Sequence, residues 1–528
     1  MVDLMIRGGT VCDGTRAPCY KADVCIKDGH IVQISEHAEV QAKQEINASG
    51  KIVAPGFIDI HTHSDLAPLA AFDPESKTHQ GVTFELTGNC GISPLPNTPE
   101  AQGRITEYFM SNLQYPPMKF TAHTLNDYAA QAESNCPIAN YGVLIGHSAL
   151  RGCAMGFDNR EPSAQELREM KALLDEELSM GAFGMSLGLI YPPSAFAETD
   201  ELDALASVVR KHDGILAVHI RNEGPRVFEA VEEMLGVAER SGVHLQISHL
   251  KIMTKALWGQ SERLLERIDA ARAKGIQVTC DQYPFFASST GMTALLPKWA
   301  HAGGIAPLLQ RIAEPEARLK TEIAQELESR GGAERVMISS THGIAPEWEG
   351  KMLSEVSEEL HLPPVEAVLQ ILRSCHANVH CNYFSQNEQD MERILSRRDI
   401  AVASDGYNYP YDRAIVKDTP HPRNYATFPH ALELAREKKL MPLEDIVHKM
   451  TALPAEMIGI KERGSLREGM AADITIFDWE TVGQAGDFQS PAQKPHGIES
   501  VIVAGKLILS HGKLTGERPG KVLRHGAC

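Results

Sequence analysis

The chain contains few aromatic residues and has a deficit of positive charge. Phe, Trp and Tyr make up 6% of its 528 residues, and 51 Lys and Arg stand against 69 Asp and Glu, which gives a net charge of −18. A strongly acidic protein repels the phosphates of nucleic acids and the headgroups of anionic lipids. The composition therefore argues against nucleic acid or an anionic membrane as the main partner.

Long apolar segments and grouped cysteines are also missing. No apolar run reaches the roughly 18 residues that a membrane helix needs. The start of the chain, Met1-Val2-Asp3-Leu4-Met5, includes an acid and no base, unlike a secretory signal. The ten Cys are scattered along the chain rather than arranged as a disulfide framework. We therefore expect a cytoplasmic protein with reduced thiols and no membrane segment.

The remaining composition is typical of a large globular protein, with 43% hydrophobic and 23% charged residues. Residues 1–55 contain short apolar runs closed by turn residues, and similar runs return in residues 461–528. We expect these two ends of the chain to form one small β-sandwich. Residues 416–460 show helical patterns and are expected to pack as helices on the main domain.

Between residues 56 and 415, short apolar strands alternate with helical stretches, which is the pattern of βα units around a parallel sheet. Eight candidate strands are present: Gly56–Ile60, Val82–Leu86, Tyr141–Ile145, Ala182–Leu187, Ile215–Val218, His244–Ile247, Ile276–Thr279 and Ile400–Ala403. Eight units predict an α/β fold of the (β/α)8 type, a TIM-like barrel. The segment from about 286 to 395 is too long for one connection, and the helical pattern at Ile305–Arg330 predicts an inserted helical subdomain at about 286–345.

The predicted strand ends carry side chains that bind metals. His61 and His63 follow the first strand at positions i and i+2, so their imidazoles point to the same side. Four further potential ligands follow other strands: Cys90, His219, His249 and Asp405. Each of these residues alone would fit a packed thiol, a core histidine or a turn. Because the C-terminal ends of barrel strands meet at one face, the six residues together predict a metal centre at that face.

Eight motifs are spread over nearly the whole chain: Gly56–Asp65, Gly88–Gly91, Ala182–Tyr191, His219–Glu223, Ser248–Lys251, Ser404–Gly406, His421–Arg423 and Gly469–Asp473. They resemble the motifs of the amidohydrolase superfamily, and within it those of the D-aminoacylase (N-acyl-D-amino-acid deacylase) family. The first motif alone marks only the superfamily, whereas the Gly-Asn-Cys-Gly setting of Cys90 is much more specific. Many superfamily members bridge two metals with a carboxylated lysine, whereas Ala182–Leu187 contains no lysine and a thiolate at Cys90 can take that place.

The resemblance implies zinc-dependent hydrolysis of the amide bond of N-acyl-D-amino acids, which yields a carboxylate and a free D-amino acid. It further implies that one zinc ion is held tightly by Cys90, His219 and His249. A second, weaker metal would be bound by His61, His63 and the shared Cys90. Thiolate and imidazole ligands suit zinc.

Asp405 is a further candidate ligand of the second metal and the candidate general base. The metal lowers the pKa of a bound water from about 15.7 towards about 7. Asp405 would take the proton as the water attacks the amide carbonyl and would deliver it to the leaving amine. Lys251 and Arg423 match the family positions that bind the substrate carboxylate, and Tyr191 and Tyr283 are similarly placed.

Two other functions are compatible with the sequence. One is hydrolysis of cyclic amides, as in hydantoinases and dihydroorotases, although the missing lysine and the Gly-Asn-Cys-Gly motif weigh against it. The other is a non-catalytic scaffold that kept the barrel, although such a protein should lack metal ligands and this chain has all six. The expected partner is a small N-acyl amino acid. A homo-oligomer is compatible with the sequence, which does not determine the oligomeric state, the preferred side chain or the acyl group.

Overall fold

The computed structural model describes residues 1–112 and 120–527, and their strands form three sheets. The strands are β1 (Val2–Val11), β2 (Tyr20–Lys27), β3 (His30–Ser35), β4 (Ala42–Asn47), β5 (Ile52–Pro55), β6 (Phe57–Asp59), β7 (Val82–Thr87), β8 (Asn140–Gly146), β9 (Gly184–Gly188), β10 (Ile215–His219), β11 (His244–Ile247), β12 (Val278–Gln282), β13 (Ser288–Gly291), β14 (Val336–Ser340), β15 (His380–Tyr383), β16 (Ile400–Val402), β17 (Ile474–Phe477), β18 (Ile498–Val503), β19 (Lys506–Ser510) and β20 (Lys513–Leu514).

The α-helices lie mostly between the strands of the central part of the chain. They are α1 (Gln102–Asn112), α2 (Leu125–Ser134), α3 (His147–Ala154), α4 (Ala164–Ser179), α5 (Thr199–Lys211), α6 (Val227–Ser241), α7 (Ser261–Ala273), α8 (Ile305–Ala313), α9 (Ala317–Ser329), α10 (Leu353–Glu359), α11 (Pro364–Ser374), α12 (Glu388–Leu395), α13 (Arg423–Glu437), α14 (Leu443–Met450) and α15 (Ala452–Ile458). In the described part of the chain, none of these helices combines the length and the apolar character that crossing a bilayer requires.

Eight parallel strands form the barrel that the sequence predicts, in the order β6-β7-β8-β9-β10-β11-β12-β16. All eight predicted strands are present, and their ends differ from the prediction by at most three residues. The outermost strands meet just beyond their C-terminal ends. There, the backbone N–H of Asp405 donates to the carbonyl of His61 at 2.8 Å, and the N–H of His63 donates to the carbonyl of Gly406 at 2.9 Å. The barrel therefore closes at the predicted metal ligands.

Strands from both ends of the chain form a second, nine-stranded sheet. β1 pairs with β2, β4 and β5, and β5 pairs antiparallel with β17, which joins the N-terminal strands to the C-terminal ones. Apolar side chains from both ends share one core, for example Ile6, Val24 and Ile474. The prediction that the two ends build one small β domain is confirmed, and its strands are hydrogen-bonded as a single mixed sheet.

The connection from β12 to β16 contains an inserted subdomain with its own core. Helices α8 to α11 accompany a three-stranded antiparallel sheet in the order β13-β15-β14. Its buried apolar residues, among them Leu308, Ile323 and Leu372, form a cluster of their own. The sequence indicated helices here but not this sheet, because its strands have only four or five residues and β13 reads Ser-Ser-Thr-Gly.

Two apolar clusters hold the barrel strands in place. One joins residues of β6, β7, β8, β10 and β16 to Met457 and Ile458 of α15. A larger cluster contains residues of the strands and of the helices that surround them. The helical pattern at Leu443–Ile458 is interrupted at Thr451, whose φ and ψ of −133° and −87° separate α14 from α15. The loops that carry the functional residues thus start from a rigid frame.

Candidate metal centre and active site

The structure brings all six sequence-predicted ligands to the C-terminal face of the barrel. They follow or end five strands of the barrel: His61 and His63 after β6, Cys90 after β7, His219 at the end of β10, His249 after β11 and Asp405 after β16. All six are at most 8% exposed. Parallel strands end at a common edge, so residues far apart in the chain meet here.

The ligand atoms fall into two groups that share Cys90. His61, His63, Cys90 and Asp405 form one group, and Cys90, His219 and His249 form the other; within each group all ligand atoms lie within 4.8 Å of one another. The Cys90 Sγ lies 3.3 Å from Nε2 of His61 and 3.5 Å from Nε2 of His249. A single sulfur therefore lies between two potential metal positions.

The backbone at three of these residues is left-handed. Cys90, His249 and Asp405 have φ values of 55°, 38° and 50°, a conformation that costs a non-glycine residue on the order of 1 kcal/mol or more. The glycines around Cys90 explain how its loop is held. A Cβ at Gly88 would lie 2.1 Å from the carbonyl oxygen of Leu144, and one at Gly91 would lie 2.6 Å from a backbone nitrogen of β9. The loop is thus pressed against β8 and β9, with the thiol next to the imidazoles of His61 and His249.

The thiol of Cys90 is set up as a thiolate. Burial by itself would raise its pKa, but the imidazoles of His61 and His249 outweigh burial and hold the pKa well below the usual range. The nine cysteines in the described part of the chain are free, and Cys528 lies outside it. A buried thiolate among imidazoles is a donor set that suits zinc.

A metal also fits the unpaired nitrogens of the centre. Within residues 1–112 and 120–527, neither ring nitrogen of His219 nor Nδ1 of His63 has a hydrogen-bond partner, although these atoms are buried. Buried polar atoms without partners are rare in native proteins and call for an explanation, such as an ion. Coordination would satisfy one nitrogen of the His219 ring, so the residues present fit a bound metal.

Two buried acids that sequence reasoning did not assign support the histidines from behind. Asp281, in β12, has Oδ1 at 3.3 Å from Nδ1 of His61 and accepts the backbone N–H of His249 at 2.8 Å. Glu223, after β10, lies 3.1 Å from Nδ1 of His249 and 3.4 Å from Nε2 of His219. Such carboxylates orient metal-binding imidazoles. Both acids lie at the C-terminal ends of barrel strands, and this position in the sequence could have identified them as candidates.

The metal groups open into a cavity of about 730 Å³ between the barrel and the insertion. Its lining includes Tyr191, Lys251 and Arg423 of the predicted substrate-binding residues. Lys251 is held by Glu223 at 2.5 Å, and Arg423 by Asp405 at 2.7 Å. The Tyr191 hydroxyl lies 2.9 Å from Thr290 Oγ1, and its ring packs edge-on against His219.

Tyr283 has a different position from the other three. It is 2% exposed and is not among the lining residues of the cavity in the described part of the chain. Its ring centroid lies 5.0 Å from Cζ of Arg423 and 5.7 Å from Nζ of Lys251, and its hydroxyl accepts a hydrogen bond from Gln386 of the loop before α12. Tyr283 thus supports the two cations from below through cation–π contacts.

Comparison with known proteins agrees with this geometry. The model of the amidohydrolase family matches residues 44–309 and 414–509. An N-acyl-D-glutamate deacylase of Alcaligenes xylosoxydans xylosoxydans is 36% identical over 100% of this chain and 97% of its own length. The chain belongs to the amidohydrolase family, in its D-aminoacylase branch. It is therefore a metal-dependent hydrolase.

Two solved structures of this branch superpose closely on the chain. An N-acyl-D-glutamate deacylase of Bordetella bronchiseptica, complexed with zinc and a phosphonate mimic of the tetrahedral intermediate, has a TM-score of 0.83 at 33% identity and covers 99% of both chains. A D-aminoacylase described by its binuclear metal centre, with one-metal activation and second-metal attenuation, has a TM-score of 0.82 at 32% identity and covers 99% of this chain and 100% of its own. The barrel, the terminal sheet and the insertion are thus shared with this branch.

Proposed function

We propose that the protein hydrolyses the amide bond of small N-acyl-D-amino acids to a carboxylate and a free D-amino acid. One observation carries this proposal. A potential metal site around Cys90, the buried carboxylate of Asp405 and two cations, Lys251 and Arg423, all line one cavity. The named activities of the relatives in the same branch support this assignment.

The proposed cofactor is zinc. Cys90, His219 and His249 would hold one tight ion, and His61 and His63 would share Cys90 with a weaker second one, with Asp405 close enough to join it. Zinc at this position would polarise the substrate carbonyl and lower the pKa of a water molecule. Zinc in the Bordetella bronchiseptica structure, and the binuclear centre of the D-aminoacylase, support this choice.

Asp405 is the proposed general base. Its Oδ1 faces Nε2 of His63 at 3.1 Å, inside the metal group, while Oδ2 accepts from Arg423. A carboxylate in this position can take the proton of the attacking water and pass it to the amine that leaves. Because its pKa lies well below the usual range, the group is ionised at neutral pH.

Lys251 and Arg423 are the proposed carboxylate clamp. Arg423 uses Nη1 for Asp405 and Nη2 for the carbonyl of Ser289, and a guanidinium has five donors, so others remain for a substrate carboxylate. With the scissile carbonyl placed at the metal and the α-carboxylate at the clamp, the two enantiomers exchange the α-hydrogen and the side chain. The relatives named N-acyl-D-glutamate deacylase and D-aminoacylase support the preference for the D form.

The assignment is tested with a substrate panel on zinc-loaded and chelator-treated protein. The panel contains N-acetyl-D- and N-acetyl-L-amino acids, hydantoins and dihydroorotate. We expect zinc-dependent release of D-amino acids and little turnover of the L forms. Faster turnover of the cyclic amides would instead support the hydantoinase-like alternative. The sequence of β9, Gly-Met-Ser-Leu-Gly, argues against that alternative, because it contains no lysine that could bridge two metals.

A further inference from the structure

The carboxylate of Glu223 lies between the metal centre and the clamp. Its Oε1 is 3.1 Å from Nδ1 of His249 and 2.5 Å from Nζ of Lys251, and its Oε2 is 3.4 Å from Nε2 of His219. Glu223 is 7% exposed, and its carbonyl accepts the N–H of Met253 at 2.7 Å, which ties the loop after β10 to the loop after β11. One buried acid therefore contacts two metal-binding imidazoles and a cation of the clamp.

The contact between Lys251 and His249 restricts the imidazole. Nζ of Lys251 lies 2.8 Å from Nδ1 of His249. A lysine ammonium can only donate hydrogen bonds, so Nδ1 accepts in this arrangement and carries no hydrogen. A neutral imidazole that offers Nε2 to a metal carries its hydrogen on Nδ1, and metal-binding histidines donate that N–H to a carboxylate or carbonyl. Two donors cannot share the contact, so metal binding at Nε2 and the contact of Lys251 with Nδ1 exclude each other.

We propose that Glu223 is a positioning residue that couples metal binding to substrate binding. When His249 binds the metal through Nε2, Glu223 accepts its Nδ1–H, and Lys251 moves away from the ring into the cavity that it lines. There its ammonium meets the α-carboxylate of the substrate; this step rests on the proposed function. Conversely, a substrate carboxylate that draws Lys251 away from the ring favours the tautomer of His249 that carries its hydrogen on Nδ1 and binds metal through Nε2. Coupling of this kind is reciprocal and typically changes affinity about 5- to 150-fold.

The metal half of the proposal is tested without any substrate, by chelator competition for zinc. Glu223→Leu removes the acceptor, and Glu223→Gln keeps an acceptor oxygen but removes the charge. We expect zinc affinity to fall about 10- to 100-fold for Leu, in line with other lost partners of metal-binding histidines, and less for Gln. Glu326→Gln, a carboxylate of the same cavity that pairs with Arg330, should leave it unchanged. Circular dichroism of the zinc-free variants checks folding. If Glu223→Leu does not fold, the zinc affinity of Glu223→Gln alone tests the proposal. Wild-type zinc affinity in the folded variants overturns the proposal.

The coupling is tested with an uncleavable analogue in which a methylene replaces the amide nitrogen of an N-acetyl-D-amino acid. The analogue and its primary carboxamide carry the same carbonyl and differ only in the carboxylate. We expect the acid, and not the carboxamide, to tighten zinc binding at least fivefold in the wild type. Lys251→Met should bind zinc no more weakly than the wild type and should lose the difference between the two analogues. Equal effects of both analogues on the wild type, or a full difference in Lys251→Met, overturn the coupling, whereas the substrate panel decides the proposed function separately.

Discussion

Nη1 of Arg423 donates a hydrogen bond to Oδ2 of Asp405 at 2.7 Å, and both residues are at most 6% exposed. Burial alone would raise the pKa of the Asp405 carboxyl, but the guanidinium, followed by the neighbouring histidines, holds that pKa well below its usual range. The candidate base and the candidate clamp are therefore one ion pair. A substitution of either residue changes the electrostatics of the other.

Arg423→Ala should lower kcat/KM for N-acyl-D-amino acids roughly 10²-fold, because the substrate carboxylate loses a charged partner in a partly dry pocket. Loss of the guanidinium also raises the pKa of Asp405, so the acid limb of the pH profile should move to higher pH for every substrate. The effect of the substitution on kcat/KM is therefore measured at about pH 8.5, above this limb. Two substrates are compared: the N-acyl-D-amino acid and its uncharged primary carboxamide. The carboxamide should be a poor substrate and little affected there. Lys298→Ala, an exposed cation of the same cavity, is the control, and equal losses for acid and carboxamide would place the clamp elsewhere.

Cys90→Ala should remove most of the zinc and most of the activity. Cys90 belongs to both ligand groups, whereas every other ligand belongs to one. Metal analysis of the purified protein should find close to one tightly held zinc per chain in the wild type. Cys153→Ala removes a buried thiol outside both groups and should keep zinc and turnover. Normal zinc content and turnover in Cys90→Ala would show that the metal centre lies elsewhere.

Asp405→Asn should nearly abolish turnover and leave the tight zinc bound. Asparagine keeps the shape of the side chain but does not accept the proton, and the loss of a general base typically costs 10²- to 10⁴-fold. The group of Cys90, His219 and His249 does not include Asp405, so zinc content serves as the internal control. Because Arg423 loses its partner, melting temperatures are compared before rates. A decrease in kcat below tenfold would exclude Asp405 as the base.

Glu177 should make the protein less stable as the pH rises from about 4.5 to 7. Burial raises the pKa of this carboxyl from its ordinary value of 4.5 to about 7, although it accepts the N–H of Leu125 at 2.9 Å. The folded state then binds more protons than the unfolded state in this interval, so the free energy of unfolding falls with pH, by at most about 3 kcal/mol. Glu177→Gln should remove this part of the pH dependence and gain stability relative to the wild type between pH 5 and 8. Glu176→Gln, a substitution of the exposed neighbouring residue, is the control. If the free energy of unfolding depends on pH in the same way in both variants, Glu177 is not the group responsible.

The sequence predicted the barrel and its ligands because both follow from local patterns. Strand and helix periodicity located eight βα units, and their order places all strand ends on one face. Once His61, Cys90 and His219 are known to follow strands, their meeting does not depend on details of packing. The roles assigned to these residues remain predictions that the experiments above address.

The partners of these residues could not be read from the sequence. Which side chain Arg423 would bind, and that Glu223 would hold Lys251, depend on rotamers and on the approach of loops that follow different strands. The sheet of the insertion is a similar case, since Ser288 of β13 pairs with Tyr383 of β15 across a long connection and its polar sequence carries no strand signal.

The amino-acid sequence by itself thus determined the α/β barrel, the branch of the amidohydrolase family and the set of candidate ligands. Periodicity and motif spacing are encoded within short stretches of the chain. The tertiary structure alone decided that Glu223 holds Lys251, that Asp405 and Arg423 form an ion pair, and that Tyr283 supports the cations from outside the cavity. These relationships are set by distances of a few ångströms between residues that come together only when the barrel closes.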